Sequence, residues 1–417
     1  MARSETLAPG RKEIIQKKGS TPRMNLSRRE MMKLGTMLGG SALVGFSGLM
    51  AAGAATRKSF RPGEPWLDTS GKPIQAHGGS ILHVDGTFYW YGENKERTKP
   101  GSGIWIWGVR AYSSTDLYNW TDVGLIIPPD THDPTSPLNP ASQTDRPHIL
   151  YNARDKKFVC WVKTMEKDGG QTRSVFTADQ FTGPYRLVRK AFQPLGMNAG
   201  DFDLVVSPSD GKAYQYFERV HTELICADLT ADYTDVTGYY STHFPLVSPP
   251  FVREAPAHFQ RGGKHYLFTS GTSGYHPNPS QIAVADTYHG PWRTLGNPHL
   301  NDRSKTSFNS QICSVFRHPA KQDLYIALAD RWIPNLPQLA GAAFESGQGY
   351  DLIAGVFQKY FSGHPVEITE AEKKYVAAVP MEDLDTSVAT YVWLPVRFDK
   401  GQPYISWRDE WSLDEFA

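Results

Sequence analysis

Five times along the 417 residues the same short phrase recurs: an apolar run, a polar turn, then an aromatic-rich run. The copies lie at 80–91 (SILHVDGTFYWY), 148–162 (HILYNARDKKFVCWV), 204–217 (LVVSPSDGKAYQYF), 257–268 (AHFQRGGKHYLF) and 313–328 (CSVFRHPAKQDLYIAL). Each reads as a β-hairpin, because β-branched and aromatic runs flank a turn rich in Gly, Asp, Asn or Lys. A second paired-strand segment follows each copy, at 109–123, 174–188, 223–236, 282–295 and 391–411. Four-stranded units repeated every few tens of residues are the pattern of propeller blades. Five units predict an all-β fold, a five-bladed β-propeller.

One segment breaks the pattern. Between Trp332 and Val388 there is no strand-like alternation. Leu352, Ile353, Val356, Phe357, Tyr360 and Phe361 fall at helical spacing, and Thr369 with Glu372 reads as a capping box opening a second helix through Val379. A helical insertion of about 335–387 in the last blade is therefore expected, either covering the mouth of a site or mediating contacts between copies. The propeller domain is read as 65–417, preceded by a short basic linker at 56–64.

The first 55 residues read as an export signal. Ser27-Arg28-Arg29-Glu30-Met31-Met32-Lys33 resembles the twin-arginine consensus, a weakly hydrophobic stretch follows at 34–51, and Ala52-Gly53-Ala54 is a small-residue cleavage site. The expected destination is the periplasm or the exterior, with no stable membrane association after cleavage; retention of the stretch as an anchor is the alternative. Cys160, Cys226 and Cys313 are odd in number and lie in strand runs, so buried free thiols are expected rather than a disulfide framework or a zinc site. A net charge of +1 gives no electrostatic reason to expect nucleic acid or an anionic membrane as partner. The 20 Tyr and 11 Trp fit aromatic surfaces of the kind that suit sugars, although packing between blades would absorb most of them.

Propeller sites lie where the innermost strands converge. The residues just ahead of each first hairpin are His77, Asp145, Asp201, Glu254 and Gln311. Carboxylates brought together from different blades repel one another and lose water, so at least one is pushed toward its protonated form. Hydrolysis of a glycosidic bond needs that setting: one acid kept protonated beside partners that stay charged.

Several stretches then resemble glycoside hydrolase family 43, most closely its exo-β-1,3-galactanase branch: Gln75-Ala76-His77-Gly78-Gly79, Asp145-Arg146-Pro147, Arg253-Glu254-Ala255-Pro256, Ser310-Gln311, and Ala329-Asp330-Arg331-Trp332. The resemblance implies a five-bladed propeller acting on an oligo- or polysaccharide by inversion. It implies Glu254 as general acid, Asp201 as the carboxylate that orients it, and Gln311 as the holder of the attacking water. Most of the family place an Asp base on the first blade, where this chain has His77. The branch usually has Glu-Arg-Pro in its second blade, so Asp145 is one methylene shorter; because an amide takes up a proton poorly, Asp145 is on proton affinity the better candidate for the base. Glu93 and Thr272 match positions near the terminal sugar, and Glu223 falls in the variable third blade. His77 is read as a substrate contact, a holder of a structural ion on the axis, or a core histidine. No other cofactor is implied. Two other readings are an arabinofuranosidase or xylosidase of the same family, and a catalytically silent propeller that binds glycans.

Overall fold

The computed structural model describes residues 56–417 apart from 246, 364–365 and 380–383, so the export signal read over 1–55 lies outside the described residues. Blade 1 comprises β1 (His77–Val84), β2 (Thr87–Glu93), β3 (Val109–Ser114) and β4 (Thr121–Ile127). Blade 2 comprises β5 (Gln143–Asn152), β6 (Lys157–Met165), β7 (Gln171–Ala178) and β8 (Arg186–Phe192). Blade 3 is β9 (Ala199–Val206), β10 (Ala213–Arg219), β11 (Glu223–Leu229) and β12 (Val236–His243). Blade 4 is β13 (Glu254–Arg261), β14 (Lys264–Ser270), β15 (Gln281–Ala285) and β16 (Arg293–Gly296). After a short β17 (His299–Leu300), blade 5 runs through β18 (Gln311–Arg317), β19 (Tyr325–Arg331), β20 (Thr390–Asp399) and β21 (Gln402–Ser406), with β17 added in parallel at its outer edge. Each blade is an antiparallel meander, and the five together are a five-bladed β-propeller.

Local chemistry explains the hairpins. Two-residue turns whose residues both take positive φ match the twist of paired strands. Asp85-Gly86 (φ 48 and 81), Gly262-Gly263 (φ 56 and 74) and Lys400-Gly401 (φ 49 and 83) supply them, closing the pairs Val84↔Thr87, Arg261↔Lys264 and Asp399↔Gln402. Burial then grades from axis to rim. The second strand β6 is buried along nearly its whole length, whereas β8 and β12 at the outer edge are mostly exposed. The first strands pack successively, β1 on β5, β5 on β9, β9 on β13, β13 on β18 and β18 back on β1, which closes the ring. All three cysteines are buried and free.

Closure is sealed by aromatic residues from both ends of the described chain. Phe60 pairs with Trp411 through backbone bonds of 2.8 and 3.1 Å, and their rings stack at 4.3 Å. Trp393 sits beneath, 4.9 Å from Trp66 and 4.5 Å from Trp90, and its carbonyl accepts the Trp411 indole N–H at 2.9 Å. The stretch 56–64, read from its sequence as a linker, is thus part of the seal, because Phe60 is 2% exposed.

Between β19 and β20 the chain leaves the blade to form the helices Gln348–Phe361 and Glu370–Ala378, preceded by the short turns Leu336–Ala340 and Ala342–Glu345. The capping box is made in full: Thr369 accepts from the Glu372 amide at 3.2 Å and donates its own amide to the Glu372 carboxylate at 2.6 Å. Ile333, Leu336, Ile353, Phe357, Tyr375 and Val376 give the insertion a small core of its own.

Truncating a buried aromatic removes its transfer energy and leaves a cavity, so Phe60→Ala should cost about 3–5 kcal/mol of stability. Urea unfolding of the protein measures this; a change below about 0.5 kcal/mol would show that the ring closes without the seal.

Candidate active site

The five first strands begin at one end of the ring, and each begins irregularly. Pairing shifts register between His77 and Ser80, Asp145 and His148, Glu254 and Ala257, Ile312 and Ser314, and opposite Ala199–Phe202 where Phe217 gives way to Arg219. These bulges re-aim the residue at each strand entrance. In three blades the following residue takes positive φ: Gly78 (61), Arg146 (52) and Ala255 (48). For Arg and Ala that conformation is strained, as is common at sites where geometry serves chemistry. The bulges also explain how Pro147 and Pro256 sit in innermost strands without breaking the sheet.

The bulged ends frame a cavity walled by Glu93, Asp145, Asp201, Glu254, Thr272 and Gln311 among others. Arg146 sits at its centre. Its guanidinium donates to Gln311 Oε1 at 2.6 Å and meets Asp201 Oδ2 at 2.9 Å, while its backbone amide donates to Glu93 Oε1 at 2.8 Å. Gln311 in turn donates from Nε2 to Ser270 Oγ at 2.9 Å and to Glu254 Oε1 at 3.4 Å. A Cβ at Gly78 would stand 2.4 Å from Glu93 Oε1, so only glycine leaves Glu93 in place. Burial works against the Arg146 cation, but Asp201, Glu254 and Glu93 overcome it and hold its pKa above the ordinary arginine range.

Two lysines complete the electrostatics. Lys163 reaches Asp201 at 2.8 Å and Asp145 at 3.2 Å. Lys95 reaches Glu93 at 2.8 Å and Asp145 at 3.9 Å. Burial would raise the Asp145 pKa, yet Lys163, Lys95 and a 2.6 Å bond from the Trp105 indole outweigh it and leave it below the usual carboxylate value. Asp145 is accordingly a firmly ionised group. Burial pushes the Glu93 carboxyl upward against the pull of Lys95.

Asp145, Asp201, Glu254, Gln311, Glu93 and Thr272 are therefore brought together at one cavity. His77 is not. It is fully buried behind the wall, its Nδ1 on Asp330 at 2.9 Å and its Nε2 on the Tyr391 hydroxyl at 3.2 Å, so it has the surroundings of a core histidine; Gly78 faces the cavity in its stead. Glu223 is also elsewhere: at the start of β11 it pairs with Arg219 at 3.0 Å. Besides Asp201, the third-blade acid that lines the cavity is Glu218, near the end of β10. Lys163, Trp105 and Glu218 were not singled out from the sequence. A lysine inside the apolar run of β6 was a usable signal, since buried lysines are rare unless paired. Trp105 lies in a loop outside the repeat and carried none. Trp105, Tyr275 and Trp332 form one aromatic wall, with ring centroids 6.1 and 5.3 Å apart, and Phe357 of the insertion adds an apolar surface.

The sequence profile of glycosyl hydrolases family 43 matches residues 72–332. No curated protein sequence matches the chain. Among solved structures, a family-43 β-1,3-galactosidase is 28% identical with a TM-score of 0.66, the match covering 86% of this chain and 65% of that one. A second family-43 β-1,3-galactosidase, solved with galactodeoxynojirimycin, is 26% identical with a TM-score of 0.66, covering 85% of this chain and 100% of that one. An exo-β-1,3-galactanase from Clostridium thermocellum is 24% identical with a TM-score of 0.64, covering 85% and 66%, and at that identity speaks to the fold alone.

Removing a cation from beside a carboxylate raises the carboxylate's pKa. Lys163→Met should shift the Asp145 titration midpoint upward, followed by ¹³C NMR of the aspartate side chains; an unchanged midpoint would mean that Lys95 and Trp105 alone hold it ionised.

Proposed function

This chain belongs to glycosyl hydrolases family 43, and we propose that within this family of glycoside hydrolases it is an exported, exo-acting enzyme. It removes terminal β-linked galactose from galactan-type chains, with inversion. The observation that carries this reading is the Gln311 amide clamped between Arg146 and Glu254, in a site whose first-blade entrance offers a glycine instead of a carboxylate. Solved structures above 25% identity that act on β-1,3-galactosides support the choice of sugar. The Ser27–Lys33 motif supports export, and an Arg28→Lys/Arg29→Lys double variant should leave the precursor in the cytoplasm; unaltered export would reject the twin-arginine route.

In this reading Glu254 gives its proton to the leaving glycosidic oxygen while water attacks the anomeric carbon from the opposite face. Gln311, fixed by Arg146 and Ser270, holds that water, and the proton it sheds as the new C–O bond forms passes to solvent at the mouth of the cavity. A carboxylate gripped by Lys163, Lys95 and Trp105 has little appetite for a proton, so Asp145 acts as a fixed negative charge facing the developing oxocarbenium ion. Asp201, sharing Arg146 and Lys163, sets the charge around the acid. One constellation thus keeps an acid and an anion apart without a base carboxylate on blade 1.

Glu254→Gln should lower kcat on β-1,3-galacto-oligosaccharides by about 10²–10⁴. Gln311→Ala should lower kcat more than Asp145→Asn; the reverse order would make Asp145 the base. NMR of the first-formed sugar should show α-galactose, and a β-anomer would sink the water-attack scheme.

A further inference from the structure

The cavity described above has one side narrowed and one side open. The Gln348–Phe361 helix leaves blade 5 and reaches across the mouth: Phe357 lines the cavity, and Phe361 packs edge-on against His221 of blade 3 at 4.9 Å. Trp332, at the root of the insertion, walls the same side. These rings narrow that side of the mouth for a chain extending from the sugar in the cavity.

The opposite side, over blade 2, is different. Met165 ends β6 and pairs in register with Gln143 at the start of β5 and with Gln171 at the start of β7. Met165 and Gln171 line the catalytic cavity, and Met165 with Gln143 also lines a second, open groove. The groove runs outward from Met165 between the loop that carries Pro134–Gln143 and the turn that joins β6 to β7, with Glu166, Lys167 and Asp168 on its wall. Gln171 marks the junction: it is 6% exposed, and its side-chain carbonyl oxygen has no hydrogen-bond partner among the described residues. A buried amide oxygen without a donor is costly, and a hydroxyl arriving from a ligand removes that cost.

We propose that the sugar residues on the leaving-group side of the scissile bond pass over Met165, donate a hydroxyl to Gln171 and lie in this groove, so that it is a binding site for the continuing galactan chain. The proposal rests on the galactan-hydrolase reading above. It differs from that reading in making chain length, rather than the terminal sugar, the quantity that blade 2 recognises. Polar walls, the Met165 side chain that lines both groove and catalytic cavity, and the Phe357 and Phe361 rings on the other side all point to the same route.

The test plugs the groove from either wall. Ala141 is an exposed loop residue on one side and Lys167 an exposed turn residue on the other. For Ala141→Trp and Lys167→Trp, the ratio of kcat/KM on β-1,3-galactotriose to that on 4-nitrophenyl β-galactoside should fall about tenfold, about 1.4 kcal/mol of binding. The loss should appear in KM. The aryl galactoside does not reach the groove, and its continued hydrolysis reports that each variant is folded. A ratio unchanged by both plugs, or a wild type indifferent to chain length, overturns the groove and leaves the functional reading standing. A wild type that cleaves neither substrate overturns the reading and this proposal together.

Discussion

The catalytic cavity is organised around one buried cation. Arg146 stands where water cannot stabilise it, and a charge in that position persists only if partners replace the water. They come from around the ring: its backbone amide meets Glu93 of blade 1, its guanidinium meets Asp201 of blade 3 and Gln311 of blade 5, and Glu254 of blade 4 lies within its field. Arg146 itself belongs to blade 2. The geometry of the site and the closure of the ring are consequently one constraint, because no partner is in place until its blade is.

This interdependence explains what the sequence could convey. The five hairpins were legible because strand pattern and turn chemistry are local: Asp85-Gly86 and Gly262-Gly263 demand tight turns whatever surrounds them. The entrance residues followed by register, and Asp145, Asp201, Glu254 and Gln311 do meet at one cavity. Register alone failed at His77, since it fixes where a residue begins a strand and not which way a bulge turns its side chain. The bulge after His77 directs the ring inward to Asp330 and Tyr391. Glu223 failed for a related reason: in the β10–β11 hairpin it is Glu218, on the preceding strand, that faces the cavity. Trp105 was hidden because its bond to Asp145 runs from blade 1 to blade 2, and the partner of Lys163 emerges only once β5 and β6 are set in register, with Asp145 opposite it.

The helical insertion shows how a propeller takes on new parts. The family profile ends at Trp332, where the insertion begins. Its capping box was readable because it is a contact within four residues. Its position over the mouth was not, because Phe361 meets His221 across the ring, 140 residues away in sequence. With a core of its own, the insertion makes few demands on the blades and still supplies Phe357 to the cavity.

The Phe60–Trp411 seal has a consequence for how the chain comes into being. The two partners are among the first and last residues of the propeller to leave the ribosome. Contacts between such distant positions carry a large loop-closure penalty and form late. Until Trp411 emerges, a nascent chain can build blades but not a ring, and its aromatic seam of Trp66, Trp90 and Trp393 has no cover. Emergence of Trp411 is therefore the step that turns a row of hairpins into a closed protein, and a chain without residues 406–417 would lack far more than a dozen residues' worth of stability.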